Sequence, residues 1–526
     1  MPNLTEKPWF SSLLSLLIGL TVFSLLTGGR FAMLWSDGWI GNTDLAGAYA
    51  SLLVFQTDVW RFPLGANPLF GATSVVFTDA IPIAALLAKC IAGFTHQPLL
   101  YLGGWFLLNS IATAFIGLLL GRELKLPFWG QAALAILLSA NVIGPARMVG
   151  AQHLALSSVW LVLWGFLLVI RRSSARTWGL LLFLAAGIHA YLLATCLVLY
   201  LWDLVRNRYW IRPLATFPLL ALWMYLLGYA YPTLSTVAVN EYKPYAADLA
   251  FFFNSFNWGV IPELFKPALP QQYDALLFLG SGGCLLIAAD VVIGITRQAS
   301  WGALKDLKPL LIPAAVLLTA ATGLSLYIWG VPLVDIHLPT PLDKPFRAFR
   351  AIGRFGWSAT FLLLTGSLLL VARQRGRLGP VLAGLACLLQ LADIANVRHY
   401  SLIRPFDPLE QQPGLSELDR FLKQHADWNR QVYKLADSRE LESFQLIDAL
   451  LAKQGARFNI THSARQSPDA VTRANQTAHQ ALAAGAPGLY VAGPSHAQQL
   501  TQSTDSRAIK IHTIDFIVNL SICPVR

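Results

Sequence analysis

Charged residues and cysteines are scarce in this sequence. Of 526 residues, only 13% are Asp, Glu, Lys or Arg, and five are cysteine. The cysteines do not occur in CxxC or Cys/His spacings, so we predict no structural disulfide and no metal held by cysteine. GxxxxGKS/T, GxSxG, HExxH and a strand-supported dinucleotide fingerprint are also missing. An energised pump or a serine hydrolase therefore gains no support.

Apolar sequence, in contrast, is abundant. Hydrophobic residues make up 55% of the chain, with 17 Trp and 29 Phe, and the mean hydropathy is +0.53. Apolar runs of about 16 to 22 residues match the length of a helix that crosses a bilayer. We expect an all-α polytopic membrane protein with about eleven transmembrane helices. The predicted spans are 9–27, 99–120, 128–143, 153–170, 176–188, 190–205, 213–229, 273–294, 309–328, 357–372 and 378–395.

The net charge of +11 is concentrated in short loops between these runs. Short basic loops mark the cytoplasmic side of a membrane, so we expect a cytoplasmic N-terminus and no nucleic-acid partner. This orientation favours an interfacial or re-entrant segment at 79–95, because a full crossing there would place every later basic loop on the external side of the membrane. The basic loops contain Arg171, Arg172, Arg176, Arg206, Arg208, Arg212, Arg297, Lys305, Lys308, Arg373, Arg375 and Arg377.

The composition changes after residue 396. Charges become mixed, and amphipathic periodicity replaces continuous apolar sequence. The segments 416–425, 440–454 and 468–488 have helical periodicity, whereas 430–437, 488–493 and 508–520 are typical of strands. The sequence therefore predicts a transmembrane domain at 1–396 and a small external α/β domain at 397–526.

The first external loop, at about 28–98, is unusually acidic for this chain. It contains Asp37, Asp44, Asp58 and Asp79. An external carboxylate near the membrane can act as a general base, or can bind a divalent cation such as Mg²⁺ or Mn²⁺ beside a lipid phosphate. We interpret Asp44, Asp37 and Asp79 as candidate catalytic residues and assign no metal site. Helix capping is the alternative for Asp44 and Asp79.

Three arginines form a second candidate group. Arg347, Arg350 and Arg354 have spacings of three and four residues, which would place them on one helix face just outside the membrane. Guanidinium groups bind phosphate oxygens in a bidentate manner. The sequence therefore predicts a phosphate site, with anchoring to lipid headgroups as the alternative.

Two histidines lie at predicted external turns between helices. His189 is in GIHAY, and His153 follows a polar turn that also contains Arg147. Because the flanking helices are short, we expect a recessed external cavity at these turns. His153, His189 and Arg147 are therefore candidate contacts for a phosphate or sugar. Structural packing is the alternative for each histidine.

Several segments carry a resemblance to a known family. They are WRFPLG (60–65), VFTDAIPIAALLAK (76–89), GAQHLAL (150–156), GIHAYL (187–192) and FRAFRAIGRFGW (346–357). Together they resemble an uncharacterised family of bacterial multi-pass membrane proteins that is grouped with the GT-C glycosyltransferases. The likeness covers most of the chain and includes RFNITHSAR (457–465) in the C-terminal part.

The GT-C resemblance implies an enzyme of the bacterial inner membrane with its C-terminal domain in the periplasm. Such enzymes take a sugar from a polyprenyl-phosphate donor, and an acidic residue of the first external loop serves as base or metal ligand. Asp44 is the best match here, followed by Asp37 and Asp79, although the adjacent acidic pair of better-known members is absent. A flippase or transporter of lipid-linked glycans and a non-catalytic envelope assembly factor are the alternatives.

Overall fold

The computed structural model describes residues 8–41, 43–67, 73–150, 153–230, 242–297, 301–336, 339, 347–374, 376–397, 408–412, 415–424, 430–462, 468–496, 509–513 and 516–525. Most of these residues are helical. The helices of the apolar part are α1 (Pro8–Thr27), α2 (Asp44–Thr57), α3 (Pro82–Thr95), α4 (Leu102–Glu123), α5 (Phe128–Ser139), α6 (Ile143–Pro145), α7 (Trp160–Arg171), α8 (Ala175–Ile188), α9 (Ala190–Asn207), α10 (Pro213–Leu227), α11 (Ser281–Arg297), α12 (Lys308–Ala321), α13 (Trp357–Ala372) and α14 (Leu378–Val397).

Six helical segments are long and apolar enough to cross a membrane, which agrees with a membrane protein. They are Trp9–Thr27, Leu102–Glu123, Phe128–Gly150, Ala190–Asn207, Ile352–Ala372 and Leu378–Val397. Each of the eleven predicted spans overlaps a helix, but several of these helices are shorter than 18 residues, so the number of crossings stays a prediction. Helix α3 has 14 residues and is about 21 Å long, shorter than the apolar core of about 30 Å.

Helices α7 to α10 run so that their basic ends lie together. Arg171 ends α7, Ser174 caps the start of α8, and α10 begins at Pro213. The other end of this group is formed by the junction of α8 with α9 at His189 and by the end of α10 at Gly228, which has a φ of 87°. Glycine favours this left-handed conformation at a helix end.

Two local predictions are wrong. The span predicted at 309–328 ends at Ala321, because left-handed residues at Gly323 and Leu324 stop α12. A hairpin follows, formed by the antiparallel strands β3 (Ser325–Ile328) and β4 (Val331–Asp335). A separate, shorter antiparallel pair lies between α2 and α3 and consists of β1 (Ala66–Asn67) and β2 (Thr73–Ser74).

The expected common helix for Arg347, Arg350 and Arg354 is also absent. Arg347 ends a helical turn, Arg350 lies in a bend, and Arg354 belongs to a 3₁₀ helix, Ile352–Gly356. The three side chains therefore do not share one helix face.

The C-terminal part contains a mixed five-stranded sheet flanked by helices. Strands β5 (Gln431–Leu435), β6 (Arg457–Phe458) and β7 (Gly488–Ala492) are parallel, and β8 (Ile509–Thr513) and β9 (Phe516–Val525) complete the order β6-β5-β7-β9-β8. The elements lie where periodicity predicted helices and strands, except that 440–454 breaks at Phe444 and 508–520 forms a hairpin. The helices are α15 (Leu415–Gln424), α16 (Ser438–Ser443), α17 (Gln445–Lys453) and α18 (Pro468–Ala483).

Helix α17 packs directly against α2, so the C-terminal part is joined to the apolar part. Helix α2 is buried from Leu45 to Gln56, and its apolar side chains share one buried cluster with those of α17. At the edge of this contact, Lys453 Nζ lies 2.7 Å from Asp37 Oδ2 and 2.8 Å from Glu410 Oε1. The domain division between residues 396 and 397 stays a prediction.

The ion pairs of Lys453 yield a test of this contact. Lys453→Met leaves the buried carboxylate of Asp37 without its cation, so we expect the free energy of unfolding to fall by about 1–3 kcal/mol. Lys423→Met is the matched control, because Lys423 pairs with Asp419 from a side chain that is 69% exposed, and it should change stability by less than about 0.5 kcal/mol. Thermal unfolding of both purified variants in detergent measures the difference. Equal midpoints would contradict the role given to Lys453.

Candidate functional site

A cavity of about 1030 Å³ lies where the ends of α8, α9 and α10 meet the segment between α1 and α4 and the C-terminal part. It lies at the end of these helices that is opposite to the basic loops. Three separate parts of the chain contribute its polar side chains. They are Asp44, Asp79 and His153; His189, Tyr245, Asp274, Arg350 and Arg354; and Glu442, Gln445 and His462.

The imidazole of His153 lies between two carboxylates on one wall of the cavity. Its Nε2 is 3.3 Å from Asp44 Oδ2, and its Nδ1 is 3.5 Å from Asp79 Oδ2. Neither aspartate acts as a helix cap, since Thr43 caps α2 and the residue before α3 is Ile81. The capping alternative is therefore wrong for both.

The backbone around Asp79 is strained. Asp79 has a φ of 53° and Ile81 has a φ of 52°, which is unusual for a β-branched residue. Both carboxylate oxygens of Asp79 are buried without a hydrogen-bond partner, and burial raises the pKa of this carboxyl although His153 lowers it. Strain and an unsatisfied buried acid together are typical of a functional site rather than of a structural pair.

A second group of charged side chains is held together by the carboxylate of Asp274, which lines the cavity with Arg354. Arg147 Nη1 lies 2.5 Å from Asp274 Oδ1, and Arg354 Nη2 lies 2.8 Å from Asp274 Oδ2. Arg147 belongs to a π-helical turn, Ala146–Gly150, a distortion that often occurs at functional sites. Burial would raise the pKa of Asp274, but the two guanidinium groups hold it well below its usual range.

Arg350 and Arg354 differ in how tightly they are held. The guanidinium of Arg354 lies 4.9 Å from the ring centroid of Tyr191, whose hydroxyl accepts a 2.7 Å hydrogen bond from Ala351 N. Arg350 is exposed and lies 5.4 Å from the ring centroid of Tyr245. Arg347 is not among the described residues that line the cavity.

His189 is a neutral imidazole at the junction of α8 and α9. Its Nδ1 accepts a 3.2 Å hydrogen bond from Tyr191 N, so in the neutral ring the proton lies on Nε2. Burial and the positive charge of Arg354 lower the pKa of His189 well below its ordinary value. His189 can therefore donate a hydrogen bond to a ligand at neutral pH without adding charge.

The structure separates Asp37 from the other candidate acids. Its carboxylate accepts a 2.9 Å hydrogen bond from Tyr49 Oη and pairs with Lys453, and it does not line the cavity.

Two residues that sequence reasoning missed are Asp274 and Gln445. Asp274 lies at the start of the predicted span 273–294, and an ionisable residue in a membrane-spanning segment is itself an indication of a functional site. Gln445, 401 residues after Asp44, donates to Asp44 Oδ1 over 3.4 Å.

In the described part of the chain, no group of three or more His, Cys, Asp and Glu side chains could hold a metal ion. Each nitrogen of His153 faces a different carboxylate, so Asp44, His153 and Asp79 do not converge on one point. The divalent cation expected from the acidic loop stays a prediction.

The raised pKa of Asp79 predicts a pH-dependent effect of Asp79→Asn. As the pH rises above 3.8, the ordinary pKa of this carboxyl, its ionisation destabilises the folded state progressively. The destabilisation becomes constant once the pH exceeds the raised pKa of the folded protein. Asp79→Asn should therefore raise the thermal unfolding midpoint at about pH 8, and this gain should shrink toward about pH 4. Asparagine tolerates the left-handed backbone at this position.

Asp58→Asn is the control with the opposite sign. Burial would raise the pKa of Asp58, but hydrogen bonds from Arg61 lower it, so Asp58→Asn should reduce stability at neutral pH and lose this effect in acid. A pH-independent effect of Asp79→Asn in thermal unfolding would contradict the account of Asp79.

Comparison with known proteins gives a family but no activity. No curated protein and no solved structure matches the chain. One family model, described as a domain of unknown function (DUF6311), matches residues 16–395. The match includes both groups of charged side chains. The chain therefore belongs to the DUF6311 family.

Proposed function

We propose that the chain is a GT-C-like membrane glycosyltransferase. It transfers a sugar from a polyprenyl-phosphate-linked donor to a periplasmic or lipid-linked glycan acceptor of the cell envelope. The observation that carries this proposal is that the carboxylates of Asp44 and Asp79 and the arginines Arg350 and Arg354 line one cavity. Carboxylates suit a base for an acceptor hydroxyl, and guanidinium groups suit the phosphate of the donor.

The proposed setting is the bacterial inner membrane, with eleven crossings and a cytoplasmic N-terminus. The basic ends of α7 to α10 lie away from the cavity, as the positive-inside rule requires of an external site. In this topology the cavity opens toward the periplasm, and residues 397–526 form a periplasmic α/β domain that covers it. Membrane lipid is the surrounding partner.

Arg350 and Arg354 bind the donor phosphate in this proposal. Asp274 offsets one of the two positive charges of Arg147 and Arg354, and of these two arginines Arg354 lines the cavity together with Arg350. When the bond between the anomeric carbon and the phosphate oxygen breaks, its electron pair passes to the phosphate. Fixed guanidinium groups stabilise that developing charge.

Asp44 takes the proton of the acceptor hydroxyl as the acceptor oxygen bonds to the anomeric carbon. Gln445 and His153 each face one of its oxygens, so the carboxylate is held in one orientation. His153 links Asp44 to Asp79, and neutral His189 supplies a donor for a phosphate or sugar oxygen. The cavity volume is at the upper end of the range of about 300–1,000 Å³ for small-molecule sites, which suits a sugar phosphate together with an acceptor.

Replacement of the proposed base is the first test of this function. Asp44→Asn should lower the rate of transfer from synthetic polyprenyl-phosphate sugars by about 100-fold or more, because the amide cannot accept the proton. The purified protein in lipid is assayed with labelled sugars, with and without a divalent cation. Asp58→Asn, outside the cavity, is the control and should keep the wild-type rate. Full activity of Asp44→Asn would exclude this base, whereas donor binding without turnover by the wild-type protein would favour a flippase or an assembly factor.

Replacement of Arg350 tests donor recognition. Arg350→Ala should weaken donor binding by about 10-fold or more, the loss expected for a hydrogen bond to a charged group. Arg350→Lys should recover part of the loss because it keeps the charge. The control is Arg347→Ala, which changes an arginine outside the cavity. Binding of a labelled polyprenyl phosphate is the measurement, and equal losses in Arg350→Ala and Arg347→Ala would contradict a specific phosphate site.

A further inference from the structure

The segment 153–159 carries His153 at its start and precedes α7 without forming a regular helix. Its residues from Leu154 to Val159 are buried, so their polar groups need partners inside the protein. Within the segment, Ser157 N donates to His153 O over 3.3 Å. The position of Ser157 therefore bears directly on that of His153.

One fully buried side chain of α4, Asn109, binds this segment. Its Nδ2 donates to Ser157 Oγ at 2.6 Å and to Leu154 O at 3.4 Å. Its Oδ1 accepts from Ser158 Oγ at 3.0 Å and from Trp160 Nε1 at 2.9 Å. An indole N–H can only donate, and an amide offers two donors and two lone pairs. All the hydrogen-bonding capacity of the Asn109 side chain is thus spent on residues 154–160.

The same helix also holds the backbone beside Asp79. Tyr101 directly precedes α4, and its hydroxyl donates a hydrogen bond to Ala80 O. Tyr101 and Asn109 are eight positions apart, which corresponds to about 12 Å along a helix. Helix α4 therefore supports both the segment that carries His153 and the backbone next to Asp79.

The contacts of the His153 imidazole leave little room for movement. Its nitrogens lie 3.3 Å from Asp44 Oδ2 and 3.5 Å from Asp79 Oδ2, and a polar contact of about 3.6 Å is no longer a hydrogen bond. We infer that Asn109 is a positioning residue, which holds the segment 153–159 where His153 contacts both carboxylates. The consequence for sugar transfer rests on the proposed function, whereas the positioning itself does not.

Thermal unfolding of the full chain in detergent tests this inference without any substrate. The charged groups that act on Asp79 are His153 and Arg354, which favour its ionised form, and Asp44, which opposes it. If Asn109→Leu displaces His153, ionised Asp79 loses part of that support. Asp79→Asn should then raise the unfolding midpoint at about pH 8 by more in the Asn109→Leu background than in the wild-type background.

Two further backgrounds show whether this change acts through His153. In His153→Gln, the gain from Asp79→Asn should increase as it does in Asn109→Leu, and combining both substitutions should add nothing further. Thr113→Val is the matched control, because the buried hydroxyl of Thr113 donates within α4, to Asn109 O at 2.7 Å. The gain in Thr113→Val should equal that of the wild-type protein.

An unchanged gain from Asp79→Asn in the Asn109→Leu background would overturn the inference, as would an equal increase in Thr113→Val. If Asn109→Leu does not fold, Ser157→Ala takes its place, because it removes the 2.6 Å hydrogen bond from the other side. An unchanged gain in Ser157→Ala would then be the contradicting result.

The transfer assay separates positioning from a general loss of structure. Asn109→Leu should lower the transfer rate by about 10-fold or more, since a misplacement of about 1 Å can cost about 100-fold. Binding of labelled polyprenyl phosphate should stay unchanged, because Arg350 and Arg354 lie outside the segment 153–159. A matching loss of donor binding would overturn the positioning role. Absence of turnover by the wild-type protein would contradict only the proposed function, since the unfolding measurements need no substrate.

Discussion

The carboxylate of Asp274 is the interaction on which the cavity depends most. It joins Arg147, on a π-helical turn, to Arg354, at the start of the segment Ile352–Ala372. Removing one member of such a buried group leaves another charge without a partner, which is costly in apolar surroundings. The pairing therefore fixes three distant segments relative to one another.

The group formed by Asp44, His153 and Asp79 is built differently. Asp44 and Asp79 are bridged by one imidazole at 3.3 and 3.5 Å instead of being paired with a permanent cation. Asp393 is a buried acid that is satisfied, because its carboxylate accepts hydrogen bonds from Val260 N and from Ser281 N and Oγ. Asp79 differs from Asp393, because neither of its buried oxygens has a hydrogen-bond partner and its polar neighbour is His153 Nδ1 at 3.5 Å.

Apolar runs in the sequence located helices that overlap every predicted span, but they did not locate all helix ends: the span predicted at 273–294 begins at Ser281, and the span predicted at 309–328 ends at Ala321. Local sequence also singled out Asp44, Asp79, His153 and His189 as separate candidates, and the structure brings them into one cavity. It could not reveal that Gln445 contacts Asp44, since that contact joins residues 401 positions apart. It misjudged the arginines, because their helical spacing is interrupted by a bend at Arg350. Asp37 looked equivalent to Asp44, yet its partner Lys453 comes from the C-terminal part.

The central claim is that one cavity binds a lipid phosphate at Arg350 and Arg354 and also contains the group formed by Asp44, His153 and Asp79. The most direct measurement is a cryo-EM structure of the protein in lipid nanodiscs with added polyprenyl phosphate. The account predicts phosphate density between Arg350 and Arg354, with the lipid chain leaving the cavity toward the bilayer. An empty cavity, or phosphate bound away from both arginines under saturating ligand, would contradict it.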